Sequence, residues 1–253
     1  MNVSEGGQTL RRTSIFEFAN PKRFLDVSAA FVPWFAAVAA LAIGAGLYMT
    51  FFVVPPDYQQ GDTVKIMFIH VPSAWVAMMA YGSMAVASLF SLVNRHPLAD
   101  VAARTAAPLG AVFTALALVT GSLWGRPMWG TYWVWDARLT SFLILFFLYL
   151  GYIALWNAIE DEVRAARAAA ILALVGAVDV IIVKYSVEWW STLHQGESIF
   201  RSGGPLIAPI FLWPLFLMAI GYTALFFLLW IIRIRTEILE RRARAILRHA
   251  DGA

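Results

Sequence analysis

The chain has 253 residues and a formal net charge of +3, and it is 60% hydrophobic but only 14% charged. Soluble globular domains carry about 25% charged residues, so this composition excludes an ordinary soluble domain. The chain contains no cysteine, which excludes disulfides, thiolate metal sites and attachment of a cofactor through its own thiols.

The apolar residues fall into six blocks of about twenty residues, the length that crosses the ~30 Å hydrocarbon core as a helix. After a polar segment 1–30, the blocks cover 31–54, 72–93, 103–123, 139–156, 168–187 and 206–232, and a basic tail 233–253 follows. No short apolar segment with a cleavage site precedes the first block, so we expect no signal peptide. The predicted fold is an all-α integral membrane protein with six transmembrane helices in the domain 31–232.

The distribution of basic residues predicts the orientation. An even number of crossings places both termini on one side of the membrane. Of the 19 Lys and Arg residues, five lie on the other side: Lys65, Arg126, Arg138, Lys184 and Arg201. Because cytoplasmic loops carry the excess of Lys and Arg, both termini are predicted to be cytoplasmic, and segments 55–71, 124–138 and 188–204 to face outward.

Two of the four histidines, His70 and His194, fall on this outer side. Pro72 suits the first position of a helix, so we expect His70 to lie just before the second helix, preceded by an apolar IMFI at the interface. His194 follows Trp189 and Trp190 in SVEWWSTLHQGES. The ordinary interpretation of either histidine is a solvated loop residue.

A tryptophan-rich stretch, WGTYWVWD at 129–136 with Trp124 just upstream, occupies the second outer segment, 124–138. Interfacial belts also contain Trp and Tyr, but a belt is spread over all helix ends, whereas these residues crowd one face. The clustering favours a bound ligand.

The conformation of the stretch is open. A helix would place Trp129, Trp133 and Asp136 on one face, and an extended segment would align Trp129, Trp133 and Trp135. The Gly and Pro residues at 125, 127 and 130 weigh against a long helix. Asp136 could cap the fourth helix or pair with Arg138.

The ligand that fits these features best is haem. Aromatic surface suits a flat conjugated ring, two neutral imidazoles suit the axial positions of its iron, and nearby cations suit its carboxylates. Lys65, Arg126 and Arg138 supply such cations.

WGTYWVWDARLTS resembles the tryptophan-rich signature, the WWD domain, of the haem-handling proteins of cytochrome c maturation. The six crossings, one outward histidine on each side of the signature, and SVEWWSTLHQG resemble the haem exporter protein C (CcmC) family. The resemblance covers nearly the whole chain. The cytochrome c haem lyases of the same superfamily have more crossings and extra transmembrane histidines, both of which this chain lacks.

The resemblance implies that non-covalent haem b is held at the periplasmic face of the bacterial inner membrane by His70 and His194. It implies that the basic residues flanking the site matter, here Lys65 and Arg138, and Arg126 stays a propionate candidate from its place in the tryptophan-rich segment. Arginine is common in the family at the position of Lys65, which lacks the bidentate fork. The implied haem platform consists of Trp124, Trp129, Tyr132, Trp133, Trp135, Asp136, Trp189 and Trp190.

The resemblance also implies partners: a periplasmic haem chaperone that accepts the haem, an ATP-binding subunit, a second membrane subunit and a small single-span subunit. The chain has no Gly-rich phosphate-binding loop, so ATP hydrolysis is expected in another chain and this one is not expected to be an enzyme. The lipid bilayer is an expected partner, and nucleic acid is not.

Two features lie outside this interpretation. Asp179, within the fifth block, is an intramembrane carboxylate that we expect to face other helices or a partner subunit. The tail RIRTEILERRARAILRH is expected to form a helix on the anionic inner leaflet.

Three other functions are possible. A b-type cytochrome requires histidine pairs inside facing helices, and no predicted span contains a histidine. A secondary transporter predicts charged or broken helices at the midplane, for which only Asp179 is a candidate. An intramembrane hydrolase requires a nucleophile and a base within the membrane.

Overall fold

The predicted all-α fold is confirmed by the computed structural model, which describes residues 20–94, 96–194, 196, 198–199 and 202–251. The basic residues Arg11, Arg12, Arg95 and Arg201 and the side chain of His249 lie outside the described residues. The six helices are α1 (Pro21–Phe52), α2 (Met67–Asn94), α3 (Pro97–Trp129), α4 (Ala137–Ala158), α5 (Glu162–Trp189) and α6 (Pro209–Asp251). All six are long and apolar enough to cross a membrane, and none of the described segments forms a strand.

Polar side chains fix where several helices begin. Asn20, His96, Asp136 and Asp161 precede α1, α3, α4 and α5, and each accepts a hydrogen bond from a backbone N–H of the first turn. These bonds satisfy donors that have no partner inside the helix. Helix α3 also has a C-terminal cap, Gly130, which adopts the left-handed conformation with a φ of 77°. The connection from α3 to α4 therefore has a helix cap at each end.

Helix α2 lies at the centre of the bundle and packs against α3, α5 and α6, while α4 packs on α3 and α5, and α1 runs along α6. Two buried tyrosines join these elements. Tyr149 of α4 donates from its hydroxyl to the Ala77 carbonyl of α2 at 2.7 Å. Its ring meets that of Tyr81 edge to face, with 5.0 Å between the ring centroids.

Glycines let the helices approach closely at these tyrosines, as small residues do in membrane helix packing. A Cβ at Gly110 of α3 would lie 2.2 Å from the Tyr149 hydroxyl, and one at Gly176 of α5 would lie 2.0 Å from the Tyr81 hydroxyl. Neither position can hold a larger side chain unless the tyrosine moves.

The prediction that His70 precedes the second helix is wrong. A short 3₁₀ helix, Asp62–Ile66, leads directly into α2 at Met67, so His70 lies in the first turns of α2 and Pro72 is internal. Membrane helices tolerate an internal proline when neighbouring groups satisfy the backbone. Beside this proline, the Ser73 hydroxyl donates to the Ile69 carbonyl at 2.6 Å.

The expectation that Gly125 and Pro127 oppose a long helix is also wrong. Helix α3 continues through both residues to Trp129, so Trp124, Arg126 and Trp129 are helical, and only 130–136 forms a non-helical connection. The helix tolerates Gly125 because its missing side chain leaves room for Trp129: a Cβ there would lie 3.0 Å from the Trp129 ring.

The basic tail continues α6 without interruption to Asp251. Its first part packs on the bundle, because Ile234 and Ile238 are buried with residues of α3. Glu237 binds Arg241 at 2.8 Å and lies 3.7 Å from Arg104 of α3. The expectation that the tail lies on the lipid surface is thus wrong for these first residues and stays a prediction for the rest.

We predict that Gly110→Ala destabilises the protein although alanine is the better helix former. The new Cβ would overlap the Tyr149 ring, and overpacking costs about 1–3 kcal/mol, more than the roughly 1 kcal/mol gained in helix propensity. Gly82→Ala is the matched control, since a Cβ there meets nothing within 4 Å. Unfolding experiments in detergent measure the stability of both variants. Equal stability of the two would contradict the packing of Gly110 against Tyr149.

Candidate functional site

A cavity of about 680 Å³ opens at the end of the bundle that carries the connections 53–66, 130–136 and 190–208, which the charge pattern predicts to face outward. The two outer histidines, from different parts of the chain, both line it. Its volume falls within the roughly 300–1,000 Å³ range of small-molecule and cofactor sites. Five of the predicted site residues contribute to its wall: His70, Trp124, Trp129, Arg138 and His194.

His70 reaches from α2 to α3. Its Nδ1 lies 2.9 Å from the Ala117 carbonyl and 3.3 Å from the Thr120 hydroxyl. A carbonyl can only accept a hydrogen bond, and the Thr120 hydroxyl already donates to Leu116 at 2.7 Å. Nδ1 therefore carries the proton in the neutral ring, and Nε2 keeps its lone pair.

Gly121 makes room for this ring. A Cβ at position 121 would lie 2.8 Å from Cε1 of His70 and 3.2 Å from its Nδ1. Because Ala117, Gly121, Trp124 and Met128 recur at helical spacing, they form one wall of the cavity.

His194 lies on the connection after α5, with its Nδ1 3.3 Å from Oδ2 of Asp136. A carboxylate accepts, so Nδ1 again carries the proton and Nε2 the lone pair. Burial lowers the pKa of His194 below its usual value, and Arg138 lowers it further, against the opposite effect of Asp136. The ring is therefore neutral near pH 7, the form that can bind a metal.

Asp136 has two partners. Its Oδ1 accepts from the Leu139 N–H at 2.8 Å, which confirms the predicted N-cap role. Its Oδ2 accepts from the Leu193 N–H and from His194, both at 3.3 Å. One buried carboxylate thus joins the start of α4 to the segment that carries His194.

Each histidine packs against one tryptophan of α3. The rings of His70 and Trp124 meet edge to face with centroids 5.7 Å apart, and those of His194 and Trp129 at 4.9 Å. Trp124 also donates from Nε1 to Oε1 of Gln60 at 2.9 Å. Both aromatic contacts therefore depend on the last turns of α3, a segment that the sequence predicts to be an outer loop.

Arg138 contributes to the wall from the first turn of α4. It also ties α4 to the end of α5, since it donates to the Ser186 hydroxyl at 3.2 Å and to the Val183 carbonyl at 3.3 Å. Lys184 of α5 is a second cation on the wall, and the sequence pattern does not single it out as a site residue.

The other eight predicted site residues are not among those that line the cavity: Lys65, Arg126, Tyr132, Trp133, Trp135, Asp136, Trp189 and Trp190. Lys65 binds Asp62 at 2.7 Å, and Arg126 lies over the Tyr132 ring at 5.6 Å. These two cations therefore interact with neighbours in the chain.

The remaining tryptophans form local pairs. Trp133 and Trp135 meet edge to face with centroids 5.4 Å apart, and Trp135 is 74% exposed. Trp189 stacks on Tyr185 at 5.4 Å and contacts Trp190. The predicted aromatic residues thus divide into two that touch the histidines and a second set at the end of α5 and on the adjoining connections, exposed except for the half-buried Trp133.

Comparison with known proteins identifies the family. The family model "CcmC: Heme exporter protein C" matches residues 14–249. The chain belongs to the heme exporter protein C family. Members with this name include a protein of Bradyrhizobium diazoefficiens, 58% identical over 92% of this chain and 88% of its own length. Those of Paracoccus denitrificans and Escherichia coli K12 are 48% and 46% identical, over 95% and 91% of this chain and 100% and 93% of their own lengths.

For this heme exporter protein C family member we predict that Gly121→Ala removes the hydrogen bond from His70 to Ala117, because the new Cβ displaces the ring. In protein labelled with ¹⁵N-histidine and free of ligand, the Nδ1 proton of His70 should exchange with water at least tenfold faster than in the unsubstituted protein. Gly44→Ala, in open space on α1, is the control. A protected proton in the Gly121 variant would contradict the proposed packing of His70.

Proposed function

We propose that this chain binds haem b non-covalently in the outer cavity and presents it to an acceptor. The observation that carries the proposal is that His70 and His194 line one cavity, and that each has its Nδ1 bound to an acceptor. Both Nε2 atoms are left as the nitrogens able to bind a metal.

The donor set fits haem. Histidines that bind metals usually donate their second ring N–H to a carbonyl or a carboxylate, which fixes the tautomer. His70 has the carbonyl and His194 the carboxylate. Haem iron accepts two axial nitrogens, and Trp124 and Trp129 supply flat apolar surface beside the two imidazoles.

Two cations on the wall suit the two propionates of haem. Arg138 and Lys184 both line the cavity, whose wall also carries the carboxylates of Asp57 and Glu188 and is mainly apolar elsewhere. We propose these two as the principal propionate partners. Lys65 and Arg126 do not line the cavity and interact with Asp62 and Tyr132, so we do not place them among the principal partners.

We propose that the exposed aromatic residues extend the platform outside the cavity. All four are exposed and lie within three residues of a wall residue along the chain: Tyr132, Trp135, Trp189 and Trp190. Their exposure suits a surface that both the haem and its acceptor touch. Trp133, whose Nε1 is buried without a hydrogen-bond partner, is the inner member of this set.

The relatives are named heme exporter protein C, and the family supports a wider role in cytochrome c maturation. In this proposal the outer end faces the periplasm from the bacterial inner membrane, and a periplasmic haem chaperone receives the haem. An ATP-binding subunit, a second membrane subunit and a small single-span subunit complete the complex. This chain supplies the haem site, and ATP is hydrolysed by the ATP-binding subunit.

The two histidines differ in how they are held, which suits a site that must release its cargo. His70 lies on a helix and bonds to the backbone of another helix. His194 lies on a non-helical connection and bonds to a side chain at the longer distance of 3.3 Å. We propose that His194 is the ligand that leaves iron first. The b-type cytochrome alternative requires both histidines in facing helices, which His194 does not satisfy.

We predict that the purified protein carries haem with the absorption spectrum of six-coordinate, low-spin iron. His194→Ala should retain haem as a five-coordinate species, because His70 keeps its position, while His70→Ala should reduce retained haem by tenfold or more. The pyridine haemochrome assay measures the amount, and visible absorption and electron paramagnetic resonance report the coordination.

His96→Asn is the control, since His96 caps α3 at the opposite end of the bundle and asparagine preserves a cap. The proposal fails if the His96 and His70 variants hold equal amounts of haem with the same spectrum.

A further inference from the structure

We propose that Asp136 is a positioning residue that sets the tautomer of His194 and thereby makes its Nε2 available to iron. The inference rests on the proposed haem site and assigns Asp136 a role different from that of a platform residue. It follows from the three hydrogen bonds that the carboxylate accepts.

The two carboxylate oxygens of Asp136 bind different groups. Oδ1 is used by the helix, through the Leu139 N–H at 2.8 Å. Oδ2 faces the other way and accepts from the Leu193 N–H and the His194 Nδ1. Since helix capping needs only one oxygen, the second is free to hold the histidine.

Another N-cap in the same chain shows that the cap alone does not require this arrangement. Asp161 caps α5 by accepting from the Arg164 N–H at 2.7 Å, and it is exposed. Asp136 performs the same capping while buried beside the cavity wall, with a side-chain exposure of 6%. Burying a carboxylate is costly unless it is hydrogen-bonded, and the bonds to Leu193 and His194 provide that compensation.

The two histidines also differ in what fixes their tautomers. His70 bonds to a backbone carbonyl, which no substitution converts into a donor. His194 bonds to a side chain, so its tautomer is the one that a single substitution can reverse. Asp136 is therefore the residue through which the proposal can be tested without altering either histidine.

Asp136→Asn keeps the shape and the cap but replaces one oxygen with an N–H₂ donor. The amide oxygen stays on the Leu139 N–H, because that hydrogen bond is the shortest of the three, 2.8 Å against 3.3 Å. The N–H₂ group then replaces the oxygen that faced Leu193 and His194, so the Leu193 N–H loses its acceptor and a donor faces Nδ1 of His194. Two N–H groups cannot bond to each other, so His194 moves its proton to Nε2 and accepts at Nδ1. An Nε2 that carries a proton has no lone pair for iron.

The experiment begins with haem-free protein labelled with ¹⁵N-histidine, in which ring nitrogen shifts distinguish the two tautomers. His194→Ala identifies the His194 signals by their loss. In the unsubstituted protein His194 should be protonated at Nδ1, and in Asp136→Asn it should be protonated mainly at Nε2. An unchanged tautomer in Asp136→Asn would overturn the proposal, whatever the protein does with haem.

The second measurement is made on haem-loaded protein. Asp136→Asn should convert low-spin, six-coordinate iron to a five-coordinate species and weaken haem retention by about 10–100-fold, the usual effect of removing a partner of a metal ligand. Retention of the unsubstituted six-coordinate spectrum would also overturn the proposal. If the unsubstituted protein itself takes up no haem, the proposed function fails, while the tautomer measurement still decides the role of Asp136.

Two further variants separate positioning from capping. Asp161→Asn makes the same substitution at a cap without a histidine and should leave both the tautomer and the spectrum unchanged. Asp136→Ser keeps a capping oxygen but removes the acceptor of the Nδ1 proton, so His194 should populate both tautomers. If Asp161→Asn gives the result expected of Asp136→Asn, or if Asp136→Ser keeps the tautomer of the unsubstituted protein, the effect is not positioning by the second oxygen.

Discussion

Two hydrogen bonds from histidine Nδ1 atoms govern the outer end of this protein. Each holds an imidazole against a fixed acceptor, the Ala117 carbonyl for His70 and the Asp136 carboxylate for His194. Both acceptors belong to the framework of the bundle, one as backbone of α3 and the other as the cap of α4. Because each bond occupies Nδ1, the packing of the helices also determines that Nε2 is the ring nitrogen left for a ligand.

The fold follows largely from composition and hydropathy. Six apolar blocks predicted six helices, because backbone groups in lipid must be satisfied within a helix. The residues at which the helices begin and end were less predictable. Pro72, Gly125 and Pro127 have the chemistry of helix ends in water, but α2 and α3 pass through them, since packing and neighbouring hydrogen bonds outweigh local preference. The close contacts of Gly110 and Gly176 depend on helix pairing, which hydropathy does not specify.

Which residues the candidate site brings together was predictable in part, and its geometry less so. His70, His194 and the tryptophans stood out because they cluster on one side of the membrane. That assignment requires only the order of the spans and the distribution of charge. Gln60 and Gly121 were missed, although Gly121 shares the helical spacing of Ala117 and Trp124 once α3 is extended. The division of the aromatic residues between the wall and the exposed surface could not be derived, because it depends on where α3 ends.

The most direct test of the central claim is an experimental structure of the haem-loaded protein, with the iron located by its anomalous scattering. The account predicts one iron atom coordinated by Nε2 of His70 and Nε2 of His194, with both Nδ1 hydrogen bonds retained. Iron bound through only one of these histidines in the fully loaded state, or through other residues, would contradict it.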